Sequence, residues 1–330
     1  MTEQLKLKLN DSKATRWGAL VIVAFTMMAA YYVNDVVAPL KTMLETDLAW
    51  SSTDFGFFTG GYSFLNVFFL MLIWGGLILD RFGIRFTGKL ATILMVGGTA
   101  LEYYAMTGLA GADATLFGIN EIFGYKTGVF VAFAGYSIFG VGAEVAGITV
   151  SKIIAKWFKG KELATAMGVQ VALARIGSQA GYAVAIPLAR AFGISTPVLL
   201  GLVLLFGRYD CFLRLCSDGQ EAGQTDGAAA IAAGTEDEEE KFSFKDVKNI
   251  LVNPGFWLIA LLCVLFYSCV FPFQKFASEL MIIKYGINEN VAGTFAGLPA
   301  LGALILTPVF GGFIDKRASP HLSCCWARPC

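Results

Sequence analysis

The chain has 330 residues, of which 56% are hydrophobic and only 15% charged, and its mean hydropathy is +0.64. Soluble domains carry about a quarter charged residues, so this composition argues against a soluble globular protein. Zero net charge gives no electrostatic reason for a nucleic-acid partner, and seven Cys without metal spacing and a single His give none for a metal site or a secreted disulfide framework; no cofactor is expected.

Long apolar runs set the architecture, because a membrane helix needs roughly 20 consecutive apolar residues to cross about 30 Å of hydrocarbon. Residues 1–16, MTEQLKLKLNDSKATR, are polar and lack a cleavage site, so they are not read as a removed signal peptide. Helix one is predicted over 17–40. It carries Asp35, with Pro39 close behind, and that carboxylate either lines a cavity or caps a helix end. Helix two is predicted over 54–79 and helix three over 87–109, where Glu102 is read as structural. Helix four, 127–151, carries Glu144, and helix five, 162–188, carries Arg175 between Gln170 and Gln179. Helix six spans 195–215. A polar stretch follows over 216–249 and contains GTEDEEEK, too charged to cross and read as a solvated linker. Helices seven and eight are predicted over 254–276 and 291–314. Tyr267 and Phe271 of helix seven, with Tyr31 and Tyr32, are candidates for the wall of a side-chain pocket, though in helices this rich in Phe an aromatic residue is more often packing. No window alternates as a strand does. The expected protein is therefore an all-α integral membrane protein with a six-helix half over 1–215, a linker over 216–249 and the first two helices of a second half over 250–330.

Charged residues between the helices predict sidedness. Lys6, Lys8, Lys13 and Arg16 precede helix one; Arg81, Arg85 and Lys89 follow helix two; Lys152, Lys156, Lys159 and Lys161 follow helix four. The opposite loops hold Lys41, Lys126 and Arg190, one each, and only the loop around Lys275 and Lys284 is ambiguous. The N-terminus and the acidic linker are thus placed in the cytoplasm. A minimal N-terminus without targeting signals suggests a cell membrane of the bacterial inner-membrane type.

The loop after helix two reads GGLILDRFGIR, with the spacing G-x-x-x-D-R-x-G-x-R from Gly76. Gly76 and Gly83 suit close packing and a tight turn. Asp80 stands at a helix end, where it can meet a neighbouring helix N-terminus or a cation, while Arg81 and Arg85 hold the loop on the cytoplasmic side. After helix eight the chain reads GGFIDKR, so Gly311 and Asp315 repeat the Gly76 and Asp80 spacing. This loop resembles the gating loop of the major facilitator superfamily. The resemblance covers roughly residues 17–317 and implies a transporter of two six-helix halves around one midplane site. The segments WFKGKEL, ARIGS and FYSCVFPF are similar to a dipeptide-transporting branch of that superfamily.

Glu144 and Arg175 form a pair that can be argued from spacing. Glu144 precedes Trp157, and Arg175 follows Lys161, by nearly equal numbers of residues, which at 1.5 Å per residue puts both about 20 Å from the intervening turn. Charges at that depth cost several kcal/mol unless paired or hydrated, so they default to functional candidates. The pair suits a zwitterion, with Glu144 meeting an ammonium and Arg175 clamping a carboxylate; the competing reading is a buried ion pair that only fixes two helices. The resembled branch carries its substrate-binding Glu and Arg at these motif positions.

An enzyme is disfavoured because the helices contain no His, and H-E-x-x-H, G-x-S-x-G and P-loop motifs are missing. A channel or scaffold is disfavoured by the repeated gate loop. Carriers of organic anions, sugars or drugs compete with a small-zwitterion carrier, which is expected to work as a monomer in the bilayer. Two stretches fit poorly: GRYDCFLRLCSDGQ sets Arg208, Asp210 and Arg214 where helix six needs apolar residues, and RASPHLSCCWARPC ends the chain. Both permit an apolar reading in a shifted frame, so 207–220 and 317–330 are expected to be frameshifted relative to an intact parent, and the coding DNA decides it. A reporter fused near Gly223 is expected to read as cytoplasmic; a signal from the opposite side would mean an odd number of crossings before it.

Overall fold

The computed structural model describes residues 13–109, 115, 118–158, 162–207 and 252–317. Helix α1 (Lys13–Val36) runs through a 3-10 turn at Ala38–Leu40 into the short α2 (Lys41–Asp47), and α3 (Ser52–Phe68) and α4 (Met71–Thr107) follow. A small ribbon, β1 (Glu121–Ile122) against β2 (Tyr125–Lys126), precedes α5 (Thr127–Trp157). Then come α6 (Leu163–Phe192), α7 (Thr196–Gly207), α8 (Pro254–Tyr285), α9 (Glu289–Ala296) and α10 (Leu298–Arg317). The protein is helical and multi-pass as expected; the two-residue strands are the one departure from an all-helical chain among the described residues. The linker and both frameshift candidates lie almost wholly outside the described residues, as does the boundary assigned at 215.

Local chemistry explains several helix ends. Ser51 and Asp54 form a reciprocal capping box that starts α3. The Asn253 side chain accepts from the Gly255 N–H and Pro254 opens α8, where its missing N–H costs nothing. Gly286, at φ 62°, closes α8.

Among the described residues four helical runs are long and apolar enough to cross a membrane, or up to six spans if each of two bent pairs counts as one. The end of expected helix two and all but the last residues of expected helix three fall in α4, on either side of Gly83, whose φ of 76° and ψ of 175° are not helical. Glycine adopts that backbone without a Cβ penalty, and the chain reverses there. The reversal shows in the packing. Gly61 and Gly75 lie against Phe133 and Val145 of α5, so this part runs parallel to α5, whereas Gly98 faces Gly135 and Ala91 faces Gly142, so residues 84–107 run antiparallel to it. A second break was not foreseen: Leu70 takes φ 51° and splits helix two between α3 and α4. Nothing in the apolar run FFLMLIW announces it, and the structure shows no residue-level cause. Helix seven continues to Tyr285, beyond the expected end at 276.

The first half closes on small residues. In lipid the hydrophobic effect does not drive helices together, so close backbone approach does. α6 lies along α1, with Gly177 against Met28 and Gly181 against Tyr32 and Val36, and Gly201 of α7 packs on Val33. α9 and α10 then lie antiparallel along α6, with Gly293 against Tyr182 and Gly297 against Gln179. Lys13 pairs with Glu162 and Arg16 lies over the Phe158 ring, which sets the chain start, the Gly83 turn and the α5–α6 turn on one side, called here the signature-loop side. The far side carries Pro39, Lys126, Gly193 and Gly286.

A Cβ on Gly135 would sit 2.7 Å from the Gly98 carbonyl oxygen and 2.8 Å from the Glu102 nitrogen. Gly135→Ala is therefore expected to push α5 off α4 at a cost of ~1–3 kcal/mol, measured as a lower melting temperature in detergent. An unchanged melting temperature would show that the crossing has slack.

Candidate functional site: a midplane cavity beside a buried ammonium

A cavity of about 120 Å³ is walled by Met27, Ala30, Tyr31 and Asn34 of α1, Tyr62 of α3, and Ala143, Glu144 and Gly147 of α5. Glu144 stands near the middle of α5, and its Oε1 accepts a 2.8 Å hydrogen bond from the Tyr62 hydroxyl. Arg175 stands near the middle of α6 with its guanidinium carbon 5.1 Å from the centre of the Tyr31 ring. It does not line the cavity; it reaches it through Tyr31, whose hydroxyl lies in the combined field of Arg175, Glu144 and Asp35. Both charged residues are half-buried, and no ion pair joins them among the described residues. The depth argument from sequence thus places the two residues around one aromatic ring, and the competing reading of a pair spent on each other is not what the structure contains. Tyr267 neighbours Tyr31 electrostatically, yet its ring is 48% exposed and stacked on Phe271 at 5.0 Å. It does not line the cavity.

Asp35 belongs to a second cluster. Its Oδ1 accepts from Asn34 Nδ2 at 2.8 Å and lies 3.8 Å from Lys275 Nζ. Lys275 donates to the Asn34 carbonyl oxygen at 2.6 Å and to the Tyr136 hydroxyl at 3.1 Å, and Tyr136 donates to the same carbonyl at 2.7 Å. Three helices, α1, α5 and α8, thus meet on one ammonium, which is the cheapest way to hold a charge in a medium without water. Lys275 and Lys284 were the cations left without a side in the sequence. Ending helix seven at 276 put Lys275 at the helix end, beside the loop, whereas α8 runs on to Tyr285 and carries it well inside the helix. The overlooked signal is that the apolar run resumes after it in FASELMIIKY. Tyr62, Asn34 and Tyr136 were not singled out either, since a hydroxyl in an aromatic-rich helix carries no mark of its partner.

Three further contacts tie the second half to the first on the far side. Lys41, 2% exposed, donates to Glu279 of α8 at 2.5 Å, to Glu45 at 2.8 Å and to Ser52 at 2.9 Å. Arg190 of α6 pairs with Glu289 of α9, and Tyr182 donates to the Gln274 carbonyl at 3.0 Å. Lys41, expected in an outer loop, is therefore the centre of a closed ionic seam. On the signature-loop side, Asp80 pairs with Lys152 of α5 at 2.7 Å, a contact within the first half. Arg81 lies over the Phe82 ring and Arg85 is exposed. Gly76 corrects its expectation: a Cβ there meets nothing within 4 Å, and it is Gly75 that packs closely, on Val145. Asp315 lies in the last turn of α10, and its side chain is outside the described ones. Among the described residues no group of His, Cys, Asp and Glu is placed to hold a metal.

Bent, Gly-packed helices long and apolar enough to cross a membrane, a positive-φ glycine in the D-R-x-G loop, and a cavity between α1, α3 and α5 that holds one carboxylate describe a multi-pass membrane protein. The Major Facilitator Superfamily profile matches residues 17–325, and the chain belongs to that family. Among curated proteins it is similar to the "Lysosomal dipeptide transporter MFSD1" of Homo sapiens, 28% identical over 312 residues, or 92% of this chain and 62% of that protein. The protein of the same name from Pongo abelii is 28% identical over 306 residues, 90% of this chain and 60% of the relative. That from Danio rerio is 27% identical over 305 residues, 90% and 61%. The chain thus spans about three-fifths of the length of these relatives.

Because the Asp80–Lys152 pair is exposed, Asp80→Asn is expected to leave thermal stability within ~1 kcal/mol of the unmutated chain and, in an intact parent with both halves, to slow or stop substrate uptake into vesicles. Unchanged uptake would return the loop to a plain topological role.

Proposed function

We propose that this chain carries the substrate-binding half of a transporter for small zwitterions of the dipeptide class, working by alternating access. The observation that carries this reading is that Glu144 and Arg175, opposite charges at matching depth, are not paired with each other but flank Tyr31 beside one cavity. An ammonium takes the place of the Tyr62 hydroxyl on Glu144, and a carboxylate meets the guanidinium bidentately. Tyr31 keeps the two charges from collapsing onto each other and offers a face to a peptide plane or side chain. Asp80, Arg81, Gly83 and Arg85, with Gly76 and Asp315, form the gate loops of this reading. The names of the relatives support the substrate class. Organic anions, sugars and drugs fit less well, because a lone Glu beside the Arg repels an anion and wastes its charge on a neutral solute.

The signature-loop side is the cytoplasmic side in this proposal, on the strength of Lys13, Arg81, Arg85 and Lys152 gathering there. The relatives are named as lysosomal animal proteins, which lends the bacterial inner membrane no support.

The test is a cycle between protein and ligand, read by thermal shift with a free dipeptide, its N-acetyl form and its C-terminal amide. Arg175→Ala is expected to erase the difference between acid and amide, and Glu144→Gln that between free and acetylated amine, with coupling of about 0.5–3 kcal/mol in each case. Additive losses, together with recovered stability in the double mutant, would mean the two residues serve only the helix pair.

A further inference from the structure

Glu102 of α4 is 0% exposed, and neither carboxylate oxygen has a hydrogen-bond partner among the described residues. It sits where α4 crosses α5 at Gly135, next to the Lys275 cluster. The groups facing it are few. Tyr136 of α5 and Lys275 of α8 act on it electrostatically, and Asp35 of α1 lies behind them on the same ammonium. Tyr62 of α3 reaches it only through Tyr136, and α7, which also packs on α4, has no titratable side chain between 196 and 207. Lys275 and Asp35 already balance each other's charge. An ionised Glu102 would be a third charge with neither water nor a donor, a state that a buried carboxyl avoids by holding its proton.

The elements that bury this site are those of the far-side seam. α8 brings Lys275 to Asp35 and Glu279 to Lys41, so the far side opens only if α8 leaves α1 and α5. Water then enters beside Tyr136, and an ionised Glu102 gains solvation. We propose that Glu102 is a proton-binding site, occupied while the far side is closed and emptied to water when α8 withdraws Lys275, so that far-side opening is linked to proton release. The O–H bond of the carboxylic acid breaks, the carboxylate keeps the electron pair, and water takes the proton. The closed state holds one proton more than the open state, so acid favours closure. One proton shifts the closed-to-open ratio by up to tenfold per pH unit.

The infrared arm of the test stands without any transport, and only the conformational arm rests on alternating access. Infrared difference spectra of the reconstituted protein at neutral pH are expected to show a buried carboxylic-acid C=O band that disappears in Glu102→Gln and persists in Asp35→Asn. If Glu102→Gln does not reach the membrane, carboxyl-labelled glutamate in the unmutated protein is expected to move that band, and labelled aspartate to leave it in place. For the second arm, spin labels at Thr46→Cys and Tyr285→Cys, with the native cysteines changed to serine, report the distance across the far side. The long-distance population is expected to grow as pH rises in the parent and to stay small at every pH in Glu102→Gln. A band that survives Glu102→Gln, or one that moves with labelled aspartate, overturns the proposal. So does a pH response in Glu102→Gln equal to the parent's. Intact infrared behaviour with no dipeptide coupling at Glu144 and Arg175 would instead sink the substrate reading and leave the proton site standing.

Discussion

An ammonium drawn between helices is held by the protein groups it can reach, and the arrangement around Lys275, whose side chain is 16% exposed, follows from that constraint. The side chain is satisfied only where α1 offers the Asn34 carbonyl and the Asp35 carboxylate and α5 offers the Tyr136 hydroxyl. This sets the register of α8 against the first half to within a fraction of a helical turn. Once that register is set, Glu279 falls beside Lys41 and Gln274 beside Tyr182, and the far side closes along one seam. A buried pair stripped of one partner costs about 3–5 kcal/mol, so the seam opens as a unit or not at all.

The two sides of the molecule are built differently. Across the far side, charged contacts join the halves. On the signature-loop side the Asp80–Lys152 pair stays within the first half and is exposed. Among the described residues the far side is thus closed by ion pairs between the halves, whereas the signature-loop pairs Asp80–Lys152 and Lys13–Glu162 stay within the first half. Glu144, Tyr31 and Arg175 all come from the first half, whereas Lys275, Glu279 and Glu289 come from the second. In the proposed reading, recognition and closure fall to different stretches of chain. A ligand that prefers one state shifts the balance by its differential affinity alone.

The sequence made the midplane charges legible because hydrocarbon tolerates so few of them. Asp35, Glu102, Glu144 and Arg175 stood out against long apolar runs, and the depth of Glu144 and Arg175 followed from helical rise alone. The Gly83 turn was legible too, since a charged loop with a glycine between two apolar runs leaves little choice. Gly75 and Gly76 could not be told apart, because which one meets Val145 depends on the rotation of α4. Lys275 was assigned to a helix end and Lys41 to a loop because a helix end cannot be located to better than a few residues by hydropathy, and those few residues separate a solvated lysine from a buried one. The break at Leu70 left no trace in composition.

What the sequence determined by itself was therefore the medium, the family resemblance and the matching depth of Glu144 and Arg175. Each of these depends on local composition and helical rise, which act along the chain. What only the tertiary structure decided was partnership: that Glu144 takes the Tyr62 hydroxyl, that Arg175 lies on Tyr31, and that Lys275 gathers Asp35, Asn34 and Tyr136 while Glu102 is left without a donor. Partnership depends on the rotation of each helix about its own axis, which is set by where glycines on neighbouring helices let backbones touch, and no single helix carries that information.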